Sequence, residues 1–130
     1  MTTEQVAQHY YELAQQQKWS EIIDTYYHDD IECIEPPNSK SQPYTKGIEH
    51  VKAKAMHFTS MIEKIHAGYT TQPIIAGNMF SVGIGMDFDM KGAGRMKFDE
   101  FGVFTVREGK IVREEFIMNW SDSGGHEYKA

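Results

Sequence analysis

Only one cysteine, Cys33, occurs in the 130 residues, so no disulfide can form within the chain and a reducing, cytoplasmic setting is the expected one. Cys33 lies between Ile31 and Ile34, and in such a run a thiol is expected to pack as a small hydrophobe instead of acting as a nucleophile. No apolar run approaches the roughly 20 residues that a membrane-crossing helix needs, no signal-peptide or acyl-anchor pattern is seen, and a membrane partner is not expected. A basic stripe is missing as well. The net charge is −6 and the lysines are scattered among acidic residues, which argues against nucleic acid as a partner. No glycine-rich loop follows a strand and opens a helix, so Gly83, Gly85, Gly92 and Gly94 read as hairpin and close-packing residues. His50 and His57 are two helical turns apart, too far to share an ion without a third ligand, and Asp87 and Asp89 alternate inside a strand. No metal and no cofactor are expected.

What is present is soft and flat. Eight methionines, seven phenylalanines and seven tyrosines can fill a core or form an adaptable lining for a hydrophobic ligand. At this length, 40% hydrophobic content suffices for one self-supporting domain. Val6, Tyr10, Leu13 and Ala14 recur at helical spacing over 4–17; Ile22, Ile23 and Tyr26 mark a second short helix, with Ser20 as a candidate cap. A strand over 31–35 ends at Pro36, which stops it and holds Glu35 extended at its end. After a loop through Pro43, the stripe Ile48, Val51, Ala55, Phe58, Ile62 and Ile65 predicts one long helix over 47–66, stopped by His66-Ala67-Gly68. Strands then dominate. One is expected over 69–76, turning at Gly77-Asn78. The next alternates with Phe80, Val82, Ile84, Met86, Phe88 and Met90 on one face. Met96, Phe98, Phe104 and Val106 continue that face after a hairpin at 91–94, and Arg107-Glu108-Gly109-Lys110 turns into a last strand over 111–120. Helices first and an antiparallel meander after them predict an α+β domain over 1–120 with a loose polar tail over 121–130.

Three local patterns, in order, resemble the nuclear-transport-factor-2-like superfamily, specifically its SnoaL-like and ketosteroid-isomerase-like members. Tyr26-Tyr27-His28-Asp29-Asp30 is similar to that family's aromatic-x-Asp-Asp signal; Glu32 to Pro36 is similar to the isomerase segment in which an acid precedes proline; Arg107 to Val112 is similar to the closing Gly-Lys-Ile hairpin. The resemblance implies a cystatin-like cone, with about three N-terminal helices packed on a curved, mostly antiparallel sheet. It also implies a pocket between the layers and a homodimer through the outer sheet face. It gives the proton-shuttling role to Glu35 and the oxyanion-donor role to Tyr10 or Tyr11, of which Tyr10 shares a face with Val6 and Leu13. The family's late-strand acid would fall at or near Gly102, where this chain departs from the pattern.

Glu100 occupies the even-numbered register with Met96, Phe98, Phe104 and Val106, so a carboxyl is expected on an otherwise apolar face, where desolvation favours its neutral form. Glu35 and Glu100 could then form a base and a hydrogen-bond donor, the pair that proton abstraction next to a carbonyl requires. Phe58, Met86, Phe88 and Phe98 are the expected lining. Glu114 and Glu115 alternate, so one of them faces inward, and Asn119 shares the register of Glu115; Glu115 and Asn119 are candidate ligand contacts. The function expected is cofactor-independent acid-base chemistry, of isomerase or cyclase type, on a small hydrophobic carbonyl compound. Its competitors are a dimeric binding domain without chemistry, and a dimer whose pocket is filled by its own side chains.

Overall fold

A computed structural model describes residues 1–37, 42–118 and 126–127. Helix α1 (Thr3–Gln15) starts at a capping box, in which the Gln5 N–H donates to the Thr2 hydroxyl and the Gln5 side chain accepts from the Thr2 N–H. It buries Val6, Ala7, Tyr10, Leu13 and Ala14 along one stripe. Helix α2 (Trp19–Tyr26) follows, capped by Lys18 with no side-chain hydrogen bond, so Ser20 lies inside the first turn and is not its cap. Strand β1 (Tyr27–Ile34) begins directly behind α2, four residues earlier than the apolar run alone suggests. Then come β2 (Tyr44–Lys46), α3 (Ile48–Ser60), β3 (Ile62–Thr70), β4 (Ile74–Ala76), β5 (Met79–Met90), β6 (Gly94–Arg107), β7 (Lys110–Ile117) and β8 (His126–Glu127).

Two expectations need correction here. The helix predicted over 47–66 stops at Ser60, because Ile62 to Thr70 form a ladder along β5, with Ile62 opposite Met90 and Ile65 opposite Phe88. The strand predicted over 69–76 is accordingly two strands, β3 ending at Thr70 and β4 starting at Ile74, with Pro73 in the gap. Pairing with a long exposed edge outweighs a helical stripe that is only two isoleucines long in this stretch.

The sheet runs β2-β1-β7-β6-β5-β3, with β4 on β5 and β8 on β6. Every pairing is antiparallel except β1 with β7. The three helices pack on its inner face, and the α+β cone is thus the observed architecture. The β5–β6 ladder is unbroken from Met79–Thr105 to Met90–Gly94. Its regular pleat puts Phe80, Val82, Ile84 and Phe88 of β5, and Phe98, Phe104 and Val106 of β6, into the core. Of the tail expected over 121–130, only His126–Glu127 is described, as two residues of strand beside Met96 and Lys97. No helix among the described residues is long and apolar enough to cross a membrane.

Candidate active site

One row of side chains crosses five strands on the inner face. Thr45, Cys33, Glu114, Phe104 and Phe80 are successive register partners, and all five are buried. Glu114 is therefore a carboxyl in the middle of a packed row. It accepts a hydrogen bond from the Tyr27 hydroxyl, and Tyr10 covers the far end of the row with its ring against Phe104 and Phe80, centroids 4.8 and 5.4 Å away.

Above this row lie the remaining charged groups. Glu35 follows the last residue of β1, and its N–H donates to the Pro43 carbonyl at 2.9 Å, which fixes the backbone at the strand end. Lys54, one turn after Val51 on α3, points its ammonium at the same place. Its Nζ donates to Glu35 Oε1 and to Cys33 Sγ, each at 3.0 Å. Glu100 stands on β6 opposite Ile84, with Phe98 two residues before it and Gly102 two residues after it on the same face. At Gly102 the Phe104 ring folds so close that an added Cβ would come within 2.8 Å of it. Gly102 is thus overlaid by an aromatic ring, and the acid on this face of β6 is Glu100, two residues earlier.

The electrostatics follow from burial. Glu100 is mostly shielded from solvent, and that desolvation, with the nearby charges of Glu35 and Glu114, pushes its carboxyl up to about 8. Burial also raises Glu114, although hydrogen bonds from Tyr27 and Cys33 and the charge of Lys54 oppose the rise. Burial alone would lower Lys54; its hydrogen bonds to Cys33 and Glu35 and the charge of Glu35 more than reverse this, so it stays an ammonium. Tyr10 and Tyr27 are both driven well upward, first by burial and then by Glu114, so both remain neutral hydroxyls. Burial raises the Cys33 thiol far above its ordinary range, so it is a packed and protonated group.

The residues singled out in the sequence separate into groups. Tyr10, Glu35 and Glu100 lie on the inner face within electrostatic reach of this cluster. Tyr11 is half-buried on the other side of α1, where its hydroxyl accepts from Gln15 Nε2 at 2.8 Å. Phe58, Phe88 and Phe98 form a closed triad of edge-to-face rings with centroids 5.8 to 6.3 Å apart, and Met86 lies opposite Phe98. Glu115 is on the opposite sheet face, 3.3 Å from Arg113, whereas Glu114 points inward. Asn119 lies outside the described residues. Lys54 and Tyr27 escaped the sequence reading, although Lys54 carried a signal: it interrupts the α3 stripe Val51, Ala55 and Phe58 at a core-facing spacing. Among the described residues no group of side chains is arranged to hold a metal ion. Asp87 and Asp89 are instead paired on the outer face with Arg95 at 3.0 Å and His66 at 2.8 Å.

A recess of about 40 Å³ opens between the end of α1 and β3. It is lined in part by Trp19, Thr70, Ile84 and Met86, so it reaches the two β5 side chains that pair with Glu100 and Phe98.

The SnoaL-like domain family matches residues 1–118. A candidate SnoaL-like polyketide cyclase from Mesorhizobium loti is 28% identical and superposes with a TM-score of 0.84 over 91% of this chain and 100% of that one. A nuclear-transport-factor-2-like protein from Burkholderia thailandensis is 13% identical, with a TM-score of 0.77 over 92% of each chain. A protein of ketosteroid-isomerase-like fold from Catenulispora acidiphila, solved in complex with trimethylamine, is 14% identical, with a TM-score of 0.64 over 80% of this chain and 78% of that one. No curated protein matches the sequence. With the element order and a domain match over nearly the whole length in agreement, the chain belongs to the SnoaL-like domain family.

Proposed function

We propose that the inner face performs general acid-base proton transfer on a small hydrophobic carbonyl compound, in the manner of an isomerase or cyclase, without a cofactor. The observation that carries this reading is the pairing of Glu35, ion-paired to Lys54 at 3.0 Å, with Glu100, which burial keeps neutral up to about pH 8. Two carboxyls in opposite protonation states supply a base and a hydrogen-bond donor at one pH. In this reading Glu35 takes the proton next to the carbonyl, and Glu100 and the Tyr10 hydroxyl donate to the oxygen on which charge develops. Met86, Phe98 and Phe58 hold the apolar part of the substrate. The bound trimethylamine in the Catenulispora acidiphila protein supports small-molecule capture by this fold.

Deuterium uptake at the carbon next to the carbonyl of simple cyclic ketones, followed by NMR in D₂O, tests the reading. The wild type accelerates exchange over buffer, Glu35→Gln lowers that rate by roughly 10²-fold or more, and the rate falls as pH rises through about 8 and Glu100 loses its proton. Exchange equal to buffer with every ketone, or a rate untouched by Glu35→Gln, removes the acid-base reading and leaves the two alternatives without chemistry.

The outer sheet face supports a homodimer. Phe101 and Ile117, register partners on β6 and β7, are 62% and 49% exposed, and Tyr69 adds a third large side chain on β3. A second copy laid face to face would cover these groups. Sedimentation of the wild type as a dimer and of Phe101→Asp as a folded monomer is the expected result; a wild-type monomer at tens of micromolar removes this part of the account. The cytoplasm is the proposed location.

A further inference from the structure

The recess between α1 and β3 has a lining without a single charged side chain. It lies where the end of α1 leaves the edge of the sheet uncovered, with Gln17 and Trp19 on one side and Gly68 and Thr70 on the other. The α1 wall is set by the helix end. The Gln17 and Lys18 N–H groups donate to the Ala14 and Leu13 carbonyls at 2.9 and 3.0 Å, which turns the chain back at once. The Trp19 ring then stands edge-on to Tyr10, centroids 6.4 Å apart. Across the recess, Thr70 is the last residue of β3 and pairs with Ile84. The Thr71 N–H just beyond it donates to the Gly83 carbonyl at 2.9 Å, so this wall is held as well.

Two of the polar side chains in this lining are already paired. Gln15 Nε2 donates to the Tyr11 hydroxyl at 2.8 Å, and the Tyr69 hydroxyl donates to Asp99 at 2.6 Å. Two others are not. Thr70 is only 6% exposed, yet among the described residues neither its hydroxyl nor the Trp19 indole N–H makes a hydrogen bond. Buried donors left in this state cost free energy that a bound acceptor would recover. Between them the recess is apolar, with Ile84 and Met86 in its lining. Gly68 adds no side chain, and a Cβ built there would meet only the Gly85 carbonyl, at 3.4 Å. The volume of about 40 Å³ exceeds the roughly 10–15 Å³ that one water needs, so a group of several heavy atoms fits.

We infer that this recess is a binding site for a small uncharged carbonyl compound, whose oxygen accepts from the Trp19 indole N–H and the Thr70 hydroxyl while its carbons lie on Ile84 and Met86. The indole N–H can only donate, so the ligand must present an acceptor, and a carbonyl oxygen has two lone pairs for the two donors. An ammonium or a carboxylate of the same shape would lose its hydration against a lining that holds no counter-charge, and is therefore excluded. The site stands apart from the acid-base reading of the inner face, because neither Glu35 nor Glu100 lines the recess.

Cyclopentanone is the probe, with cyclopentylammonium and cyclopentanecarboxylate as its charged counterparts, read by ¹H–¹⁵N chemical-shift titration of the whole chain at pH 7. The signal to follow is the Trp19 indole N–H, assigned by its loss in Trp19→Phe. Cyclopentanone is expected to move it downfield and to saturate the shift in the millimolar range, and both charged compounds are expected to bind roughly tenfold or more weakly. Thr70→Val, which keeps the shape and removes the hydroxyl, should weaken the ketone about fivefold. Gly68→Val, which plugs the recess, should abolish the shift. The comparison of the three probes uses the wild type, so the test stands even if a variant fails to fold. A Trp19 signal unmoved at tens of millimolar ketone, equal shifts with the charged compounds, or an unchanged titration in folded Gly68→Val overturns the inference. Ketone exchange with a silent Trp19 signal refutes this inference alone, whereas a saturating Trp19 shift without exchange refutes the acid-base reading alone.

Discussion

Replacing Glu100 by Gln is expected to make the protein more stable at alkaline pH and to flatten its dependence on pH. Glu100 has a folded-state value of about 8 against an ordinary value of 4.5. Below pH 4.5 the carboxyl is protonated in both the folded and the unfolded chain, and it contributes no pH dependence. Above that, the unfolded chain releases the proton while the folded one keeps it, so wild-type stability declines as pH rises and levels off only above about 8. The accumulated penalty is on the order of 5 kcal/mol, because the shift spans about 3.5 pKa units of about 1.4 kcal/mol each and the group is shielded from solvent. Glutamine keeps the shape and removes the titration. Urea unfolding at pH 5 and at pH 9 should therefore show a difference between variant and wild type that shifts by several kcal/mol in favour of the variant at the higher pH. Parallel pH profiles for the two proteins would refute the desolvated placement of Glu100.

The second large effect is expected at Lys54. Lys54→Met keeps an unbranched side chain and removes the ammonium, leaving Glu35 without the cation it is paired to. Neither member of the Glu35–Lys54 pair is as much as a quarter exposed at its side chain, at 14% and 23%, so solvent replaces little of the lost attraction. Breaking a pair of this kind typically costs about 3–5 kcal/mol when fully buried, and about 2–3 kcal/mol is expected at this depth. For a chain of this size that corresponds to a Tm lower by roughly 10 °C at pH 7. Lys54→Met combined with Glu35→Gln should recover most of the loss, since the two changes act on one interaction. A thermal scan in which the double variant is as unstable as the sum of the singles would mean that the two side chains are not coupled.

Much of this site follows from period and register that can be read along the chain. The pleat of a long, regular hairpin has a period of two, so the apolar even positions from Phe80 to Val106 placed Glu100 on the inner face, and the unbroken β5–β6 ladder keeps that parity. Proline after Glu35 marked the strand end in the same local way. What escaped depends on contacts between distant segments. Glu114 and Glu115 could not be told apart because the β6–β7 ladder slips by one residue between Thr105 and Val106. That slip is why Ile111 and Glu114, three residues apart, are both buried, and nothing in the local sequence encodes it. The end of α3 was misplaced because Ile62 and Ile65 fit a helical stripe as well as a strand, and only the edge of β5 chooses between them. Lys54 was legible in principle. A lysine at a core-facing helix position is an anomaly that calls for a buried partner, and the acid at the end of β1 is that partner.

The most direct test of the proton held on Glu100 is a ¹³C NMR titration of the glutamate side-chain carboxyls. One carboxyl resonance is expected to titrate near pH 8, and that resonance should vanish in Glu100→Gln. If every glutamate of the folded protein titrates below about pH 5.5, close to the ordinary range, Glu100 faces water and the acid-base account of this inner face is wrong.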